Sequence, residues 1–97
     1  MAKANKREYE SAIADYSAAI CIASIPEDVK AMAIYNRALA YSAIDEDKSA
    51  AEDLAVVMGM SGLPAKIRTH AQQRYDWVRR RDEMRADRSH RPGKGGG

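Results

Sequence analysis

The side chains that most often catalyse reactions or bind metal ions are few in this sequence. Cys21 lies in a segment rich in Ala and Ile, where a cysteine usually behaves as an inert apolar residue. His70 and His90 have no metal-ligand spacing with it. The run 45–47 is acidic, but the glycine and the distal glutamate of a calcium loop are missing. We therefore expect no enzyme, no cofactor and no metal site, and interpret the acidic run as a solvated corner.

Basic side chains are concentrated near the end of the chain and form what we call the basic patch. Its members are Arg79, Arg80, Arg81, Arg85 and Arg88. Such a cluster is suited to phosphates or to an acidic partner. Acidic residues are interspersed, and no aromatic residues alternate with the arginines to stack on bases. Binding of nucleic acid or of an acidic partner through this segment is therefore the alternative function.

The charges of the chain are unevenly distributed along its length. Residues 1–65 carry six basic and ten acidic side chains, a net of −4, whereas residues 66–97 carry ten basic and four acidic ones, a net of +6. This asymmetry favours attraction of an acidic partner, nucleic acid or a second copy of the chain. An ordinary solvated surface is the preferred explanation of this asymmetry.

The sequence also repeats itself at an offset of 38 residues. The segment 11–16 returns as 49–54, and Ile25-Pro26 returns as Leu63-Pro64. A fixed period between about 20 and 50 residues is typical of stacked supersecondary units. The chain contains no Phe and is rich in Ala, Glu, Lys, Arg and Met, which favour helices over strands. We therefore predict an all-α fold.

Four helices are expected, at about 7–24, 26–43, 46–58 and 64–88. Asn5 is predicted to cap the first helix and Asp45 the third, because both side chains accept hydrogen bonds from free amides. Prolines open the second and fourth helices. Glycines in the run 59–62 are expected to end the third helix in the left-handed conformation. This divides the chain into a lead at 1–6, a helical domain at 7–88 and a flexible Gly-rich tail at 89–97.

The spacing of small and large residues within these helices resembles that of the tetratricopeptide repeat family. The residues that carry the resemblance are Ile34, Ala38 and Tyr41 in the second helix, Ala12, Tyr16 and Ala19 in the first, and Ala50, Leu54 and Val57 in the third. The usual period of that family is about 34 residues, so the units here are longer. The resemblance implies antiparallel helix hairpins stacked as a superhelical fragment, with one full repeat at 26–58 between two half units.

Members of this family bind peptides or helices in a groove lined by the first helices of successive units. The corresponding residues of this chain are Met32, Tyr35, Asn36, Leu39, His70, Gln73, Arg74 and Trp77. Asn36 and Arg74 match positions that grip a carboxylate in the chaperone-binding branch, although the rest of that clamp is absent. The resemblance therefore implies a protein-interaction module that binds a peptide or helix of a partner protein, rather than nucleic acid.

One face of the first helix has no partner in the arrangement that the resemblance implies. Its residues are Tyr9, Ile13, Tyr16 and Ile20. Because terminal repeats need a polar or covered outer face, we favour self-association into a homodimer. The alternatives are that the chain is a fragment of a longer array, or that it is a purely structural homo-oligomer.

The sequence also bears on location. The first residues lack the apolar stretch of a signal peptide, and Cys21 has no second cysteine to pair with. The longest apolar run, at 16–25, is about half of the ~20 residues that span a bilayer. We expect a cytoplasmic protein that does not enter membranes.

Overall fold

The computed structural model describes residues 5–90, with side chains as far as residue 85. Over this range the chain forms four helices and no strand: α1 (Lys6–Ile20), α2 (Glu27–Ala43), α3 (Asp47–Met58) and α4 (Ala65–His90). The all-α prediction is confirmed. Residues 1–4 and 91–97 and the side chain of Arg88 lie outside the described residues. The predicted tail at 89–97 begins too early, because residues 89–90 still belong to α4.

Helix α1 begins where the sequence predicts and ends earlier. The Asn5 side chain accepts hydrogen bonds from the amides of Arg7 (3.0 Å) and Glu8 (3.4 Å), so the predicted cap is confirmed. The helix ends at Ile20 instead of residue 24. The amides of Ile22 and Ile25 bond to carbonyls three residues back, which makes 21–25 a series of tight turns before the proline.

The connection between α2 and α3 departs from the prediction at Asp45. This residue has a φ of 64°, in the left-handed region that short polar side chains tolerate better than most. Glu46, not Asp45, therefore occupies the position before α3, and it makes no side-chain capping bond. The expected left-handed glycine after α3 is also wrong, because Gly59 has a φ of −90°.

The core is built from small and aliphatic side chains of α2, α3 and α4. Its buried members are Ala31, Ile34, Ala38, Ala50, Leu54, Val57, Leu63, Ala71 and Val78. Small residues let helix axes approach closely, which suits a core without Phe. The α3 residues that carry the family resemblance, Ala50, Leu54 and Val57, are all fully buried, whereas Val29 of α2 is 49% exposed.

Each helix packs against the helices that precede and follow it in the chain. At the start of α4, Arg68 donates to the carbonyl oxygens of Met58 and Met60, at and just after the end of α3. Further along α4, Arg81 bonds to Asp47 at the start of α3. Helices α3 and α4 are therefore antiparallel, as the short connections between all four helices favour.

Gly62 is the position in the α3–α4 connection where a larger residue should be most disruptive. A Cβ atom there would lie 2.9 Å from the backbone nitrogen of Asp28 and 2.8 Å from Cγ of Glu27, at the start of α2. We expect Gly62→Ala to lower the free energy of unfolding by about 1–3 kcal/mol, because backbone must move to relieve the overlap.

Gly59→Ala is the matched control, since its Cβ would come no closer than 3.6 Å to a neighbour. It should be neutral or stabilising by up to about 1 kcal/mol. Urea unfolding followed by circular dichroism measures both variants. Equal stability of the two would contradict the close approach of this loop to α2.

Candidate functional site

Arg37 of α2 connects three helices through its guanidinium group. Its Nε and Nη2 atoms donate to the two carboxylate oxygens of Asp53 in α3, each at 2.7 Å. Its Nη1 atom donates to Oγ of Ser17 in α1 at 3.0 Å. The hydrogen bonds to Asp53 raise the pKa of Arg37 despite its partial burial. Because this fork is bidentate and partly desolvated, it fixes α2 between its two neighbours.

Asp47 is the buried centre of a second charged cluster, which joins the start of α3 to α4. Arg81 donates to both of its carboxylate oxygens, at 2.9 and 2.6 Å, and Arg85 donates to one of them at 3.0 Å. Arg81 also donates to the carbonyl oxygen of Ser42 at the end of α2. The interpretation of 45–47 as a solvated corner is therefore wrong for Asp47, which is only 2% exposed.

The electrostatics of this cluster favour the charged forms of Asp47 and Arg81. The hydrogen bond from Arg81 holds the pKa of the Asp47 carboxyl below its usual value, and burial opposes that shift only in part. The same contact raises the pKa of Arg81. The cluster therefore has a structural role, since its charges compensate one another within the protein.

Trp77, the single tryptophan of the chain, stands at the centre of an open surface on α4. It is 44% exposed. The guanidinium carbon of Arg81 lies 4.3 Å from its ring centroid, and that of Arg74 lies 5.5 Å away. Both distances fall within the range of cation–π contacts, which restrain the ring without burying it.

A depression, which we call the α2–α4 groove, contains five of the eight predicted groove residues. Its lining residues are Tyr35, His70, Gln73, Arg74 and Trp77. Tyr35 comes from α2 and the other four come from α4. The lining combines aromatic rings with hydrogen-bond donors, the side chains that predominate in protein-binding hot spots.

The other three predicted groove residues lie elsewhere. Met32 packs against the core. Asn36 and Leu39 line a separate depression between α1 and α2, together with Tyr9 and Tyr16. Arg74 and Asn36 are therefore not brought together in one depression, because one helical step separates Asn36 from Tyr35 and turns it toward α1.

The predicted outer face of α1 is divided between this separate depression and the interior. Tyr9 and Tyr16 line the depression, which we call the α1–α2 depression. Ile13 is half-buried, and Ile20 packs against the core.

The basic patch is largely occupied by contacts within the chain. Arg81 and Arg85 bind Asp47, and Arg79 forms an ion pair with Glu83 at 3.0 Å. Arg80 is exposed and lines a shallow hollow beside Trp77 and Met84. The sequence analysis missed Met84, which is 64% exposed at the edge of this hollow.

Among residues 5–85 no cluster of three or more His, Cys, Asp or Glu side chains has a geometry that could hold a metal ion. No helix in the described part of the chain combines the length and apolarity needed to cross a bilayer. Cys21 is exposed just after α1.

The burial of Asp47 is a further feature that the sequence analysis did not identify. Asp47 stands beside two other acids, and no local pattern distinguishes the one that becomes buried. Of the α1–α2 depression, the sequence analysis identified Tyr9 and Tyr16 as an uncovered face but assigned Asn36 and Leu39 to the other groove. Comparison with models of protein families, with curated proteins and with solved structures gave no significant match for this chain.

The Asp47 cluster predicts that the protein loses stability in acid. The pKa of Asp47 is lower in the folded than in the unfolded state. The stability that ionised Asp47 contributes is therefore complete above the unfolded-state pKa of about 3.9, and it is lost as the pH falls through the folded-state pKa. Asp47→Asn should therefore lower stability at pH 7 and flatten the decline below about pH 4.

Arg81→Ala should cost about 1.5–3 kcal/mol at pH 7, because Asp47 would keep only Arg85. Glu83→Gln on the same helix is the control, since its carboxylate is exposed. Urea titrations at several pH values measure all three variants. An unchanged acid limb in Asp47→Asn would contradict the assignment of Asp47 as the titrating group.

Proposed function

We propose that this chain is a non-enzymatic protein-interaction module that binds a peptide or helix of a partner protein in the α2–α4 groove. The observation that carries the proposal is the exposed indole of Trp77 beside Arg74 in an open groove. An aromatic ring that keeps 44% of its surface in water is available to bury area against a partner.

The polar residues of the groove would orient the bound partner through hydrogen bonds. Arg74 and Gln73 carry hydrogen-bond donors, and His70 stands on the same helix one turn earlier. Arg74 is suited to a carboxylate of the partner, either an acidic side chain or a chain terminus. Arg80, on the far side of Trp77, extends the positive surface. An extended segment with an apolar anchor and nearby acidic groups fits this lining best.

The proposal includes a tetratricopeptide-like arrangement of the helices and a cytoplasmic location. The first is supported by the 38-residue offset, by the order of helix contacts and by the small residues at the helix interfaces. The second rests on the sequence alone, which contains a single cysteine.

Nucleic-acid or acidic-partner binding through the basic patch is the competing function, and the internal ion pairs count against it. Arg79, Arg81 and Arg85 each have a carboxylate partner within the chain. A bound phosphate would have to compete with those carboxylates. A purely structural homo-oligomer is the second alternative, and the α1–α2 depression is the surface that a second copy would have to cover.

Groove binding predicts that peptides selected from a displayed random library bind through Trp77 and Arg74. We expect Arg74→Ala and Trp77→Leu each to weaken a selected peptide by about tenfold or more, as truncation of a hot-spot residue does. Anisotropy of a labelled peptide measures the affinity. Binding should also shift the emission of Trp77, the only indole present.

Matched controls are Arg7→Ala, an exposed arginine on α1, and Val56→Ala, an exposed apolar residue on α3. Neither should change affinity, and helicity should be the same in all four variants. Selected peptides that ignored both groove substitutions would contradict the proposal.

The competing function predicts a different dependence on salt. A complex with single-stranded nucleic acid that neutralises about four phosphates should lose affinity with a log–log slope near −3. For a groove peptide we expect a slope closer to −1, because Arg74 provides its main ionic contact. Titrations with a labelled oligonucleotide and a selected peptide between 50 and 300 mM salt, roughly the range over which such slopes are resolved, distinguish the two. Tight, steeply salt-dependent oligonucleotide binding would favour the basic patch.

A further inference from the structure

The internal repeat gives α1 and α3 equivalent faces, of which the face on α3 is covered and the face on α1 is open. The 38-residue offset relates Ala12 and Tyr16 of α1 to Ala50 and Leu54 of α3. Ala50 and Leu54 are fully buried in the core cluster that includes α2. Ala12 and Tyr16 are only half-buried and line the α1–α2 depression. The two faces differ because α2 covers the second one.

The open face has the lining expected of a binding site for a helix. The residues that line the α1–α2 depression are Tyr9, Ala12, Tyr16, Asn36, Leu39, Ala40 and Ala43. None of them is charged, and the alanines leave space for the close approach of a third helix. The two tyrosines add apolar rings with polar tips, which suit a surface that is wet in one state and covered in another.

The repeat also indicates which charge the covering helix carries. Asp53 accepts two hydrogen bonds from Arg37, the residue with which α2 is fixed on α3. The residue 38 positions before Asp53 is Asp15. Asp15 is exposed, and among the described side chains it has no ion-pair partner. If another helix packed on α1 in the way that α2 packs on α3, it would place a cation next to Asp15.

We propose that the α1–α2 depression is a docking site for an amphipathic helix of a partner protein, seated antiparallel to α1. The pattern of this helix follows from the residues with which α2 covers α3. It has a small residue in the place of Ala31, and relative to that position an aliphatic residue at +3, a cation at +6 and a second small residue at +7, in the places of Ile34, Arg37 and Ala38. The inference is independent of ligand binding in the α2–α4 groove, because it concerns another surface.

A second copy of the chain is a poorer occupant than a partner helix. Within residues 5–90 the stated pattern occurs only in α2, whose face is already buried in its own core. Helix α4 is related to α2 by the offset, but its matching positions are Thr69, Gln72 and Asp76. Burying an aspartate against Ala12 would cost free energy without a partner for its charge.

The probe for this site is a labelled synthetic peptide with the sequence of residues 26–44, which contains the α2 pattern. We expect it to bind the full chain with one-to-one stoichiometry. Ala12→Arg should weaken this binding by about tenfold or more, because a long charged side chain would occupy the α1–α2 depression. Ala14→Arg, at an exposed position of the same helix, should have no effect.

A charge exchange tests the orientation of the bound helix. Asp15→Arg should weaken the peptide by about threefold to tenfold, and a peptide carrying Arg37→Asp should recover that loss on the Asp15→Arg protein. Thermal unfolding checks that the variants are folded.

Three results would overturn the inference. The first is the absence of saturable binding up to about millimolar peptide, which corresponds to only ~4 kcal/mol of binding free energy. The second is binding that ignores Ala12→Arg, because a peptide that merely displaced the chain's own α2 would contact Ala50 instead. The third is a dimer of the protein alone that Ala12→Arg converts to a monomer, which would make a second copy the occupant. Light scattering measures that mass.

Discussion

The fork between Arg37 and Asp53 is the constraint on which both candidate surfaces depend. It holds α2 against α3, and the bond from Arg37 to Ser17 holds the same helix against α1. Helix α2 forms one wall of the α2–α4 groove through Tyr35 and one wall of the α1–α2 depression through Asn36 and Leu39. A small rotation of α2 would change both surfaces at once. A bidentate, partly buried arginine resists such rotation better than apolar packing alone, because its hydrogen-bond geometry is directional.

The Asp47 cluster has the corresponding role for α4. Arg81 binds Asp47 at the start of α3 and the carbonyl of Ser42 at the end of α2, so α4 is fixed to the corner between those helices. The same guanidinium lies against the ring of Trp77. Since the position of Arg81 is determined by a buried carboxylate, the orientation of the indole in the groove is determined indirectly by Asp47. The arginines that give the sequence its basic appearance are thus partly structural, and the surface is less positive than the sequence suggests.

The helical fold and much of the groove could be predicted from the sequence, because they depend on periodic patterns. The cap at Asn5 and the spacing of Ala50, Leu54 and Val57 along α3 are local signals, and the structure confirms the cap and the burial of these three residues. The burial of Asp47 could not be predicted, since it depends on which residues of α4 reach the corner 34 and 38 positions later. The separation of Asn36 from Arg74 was missed for a related reason. The resemblance assigned both to one surface, whereas a single step along α2 turns Asn36 toward α1.

The two candidate surfaces are related by the repeat and yet differ in chemistry. Asn36 and Leu39 in the α1–α2 depression correspond by the offset to Arg74 and Trp77 in the α2–α4 groove. A neutral, apolar pair at one site thus becomes a basic, aromatic pair at the other. Identical units would give two copies of one binding preference, whereas this divergence favours two different ligands. The first site is suited to the apolar face of a helix, and the second to an extended segment with acidic groups. Because the Arg37–Asp53 fork resists rotation of α2, the helix that the two sites share, occupation of one site should leave the geometry of the other unchanged.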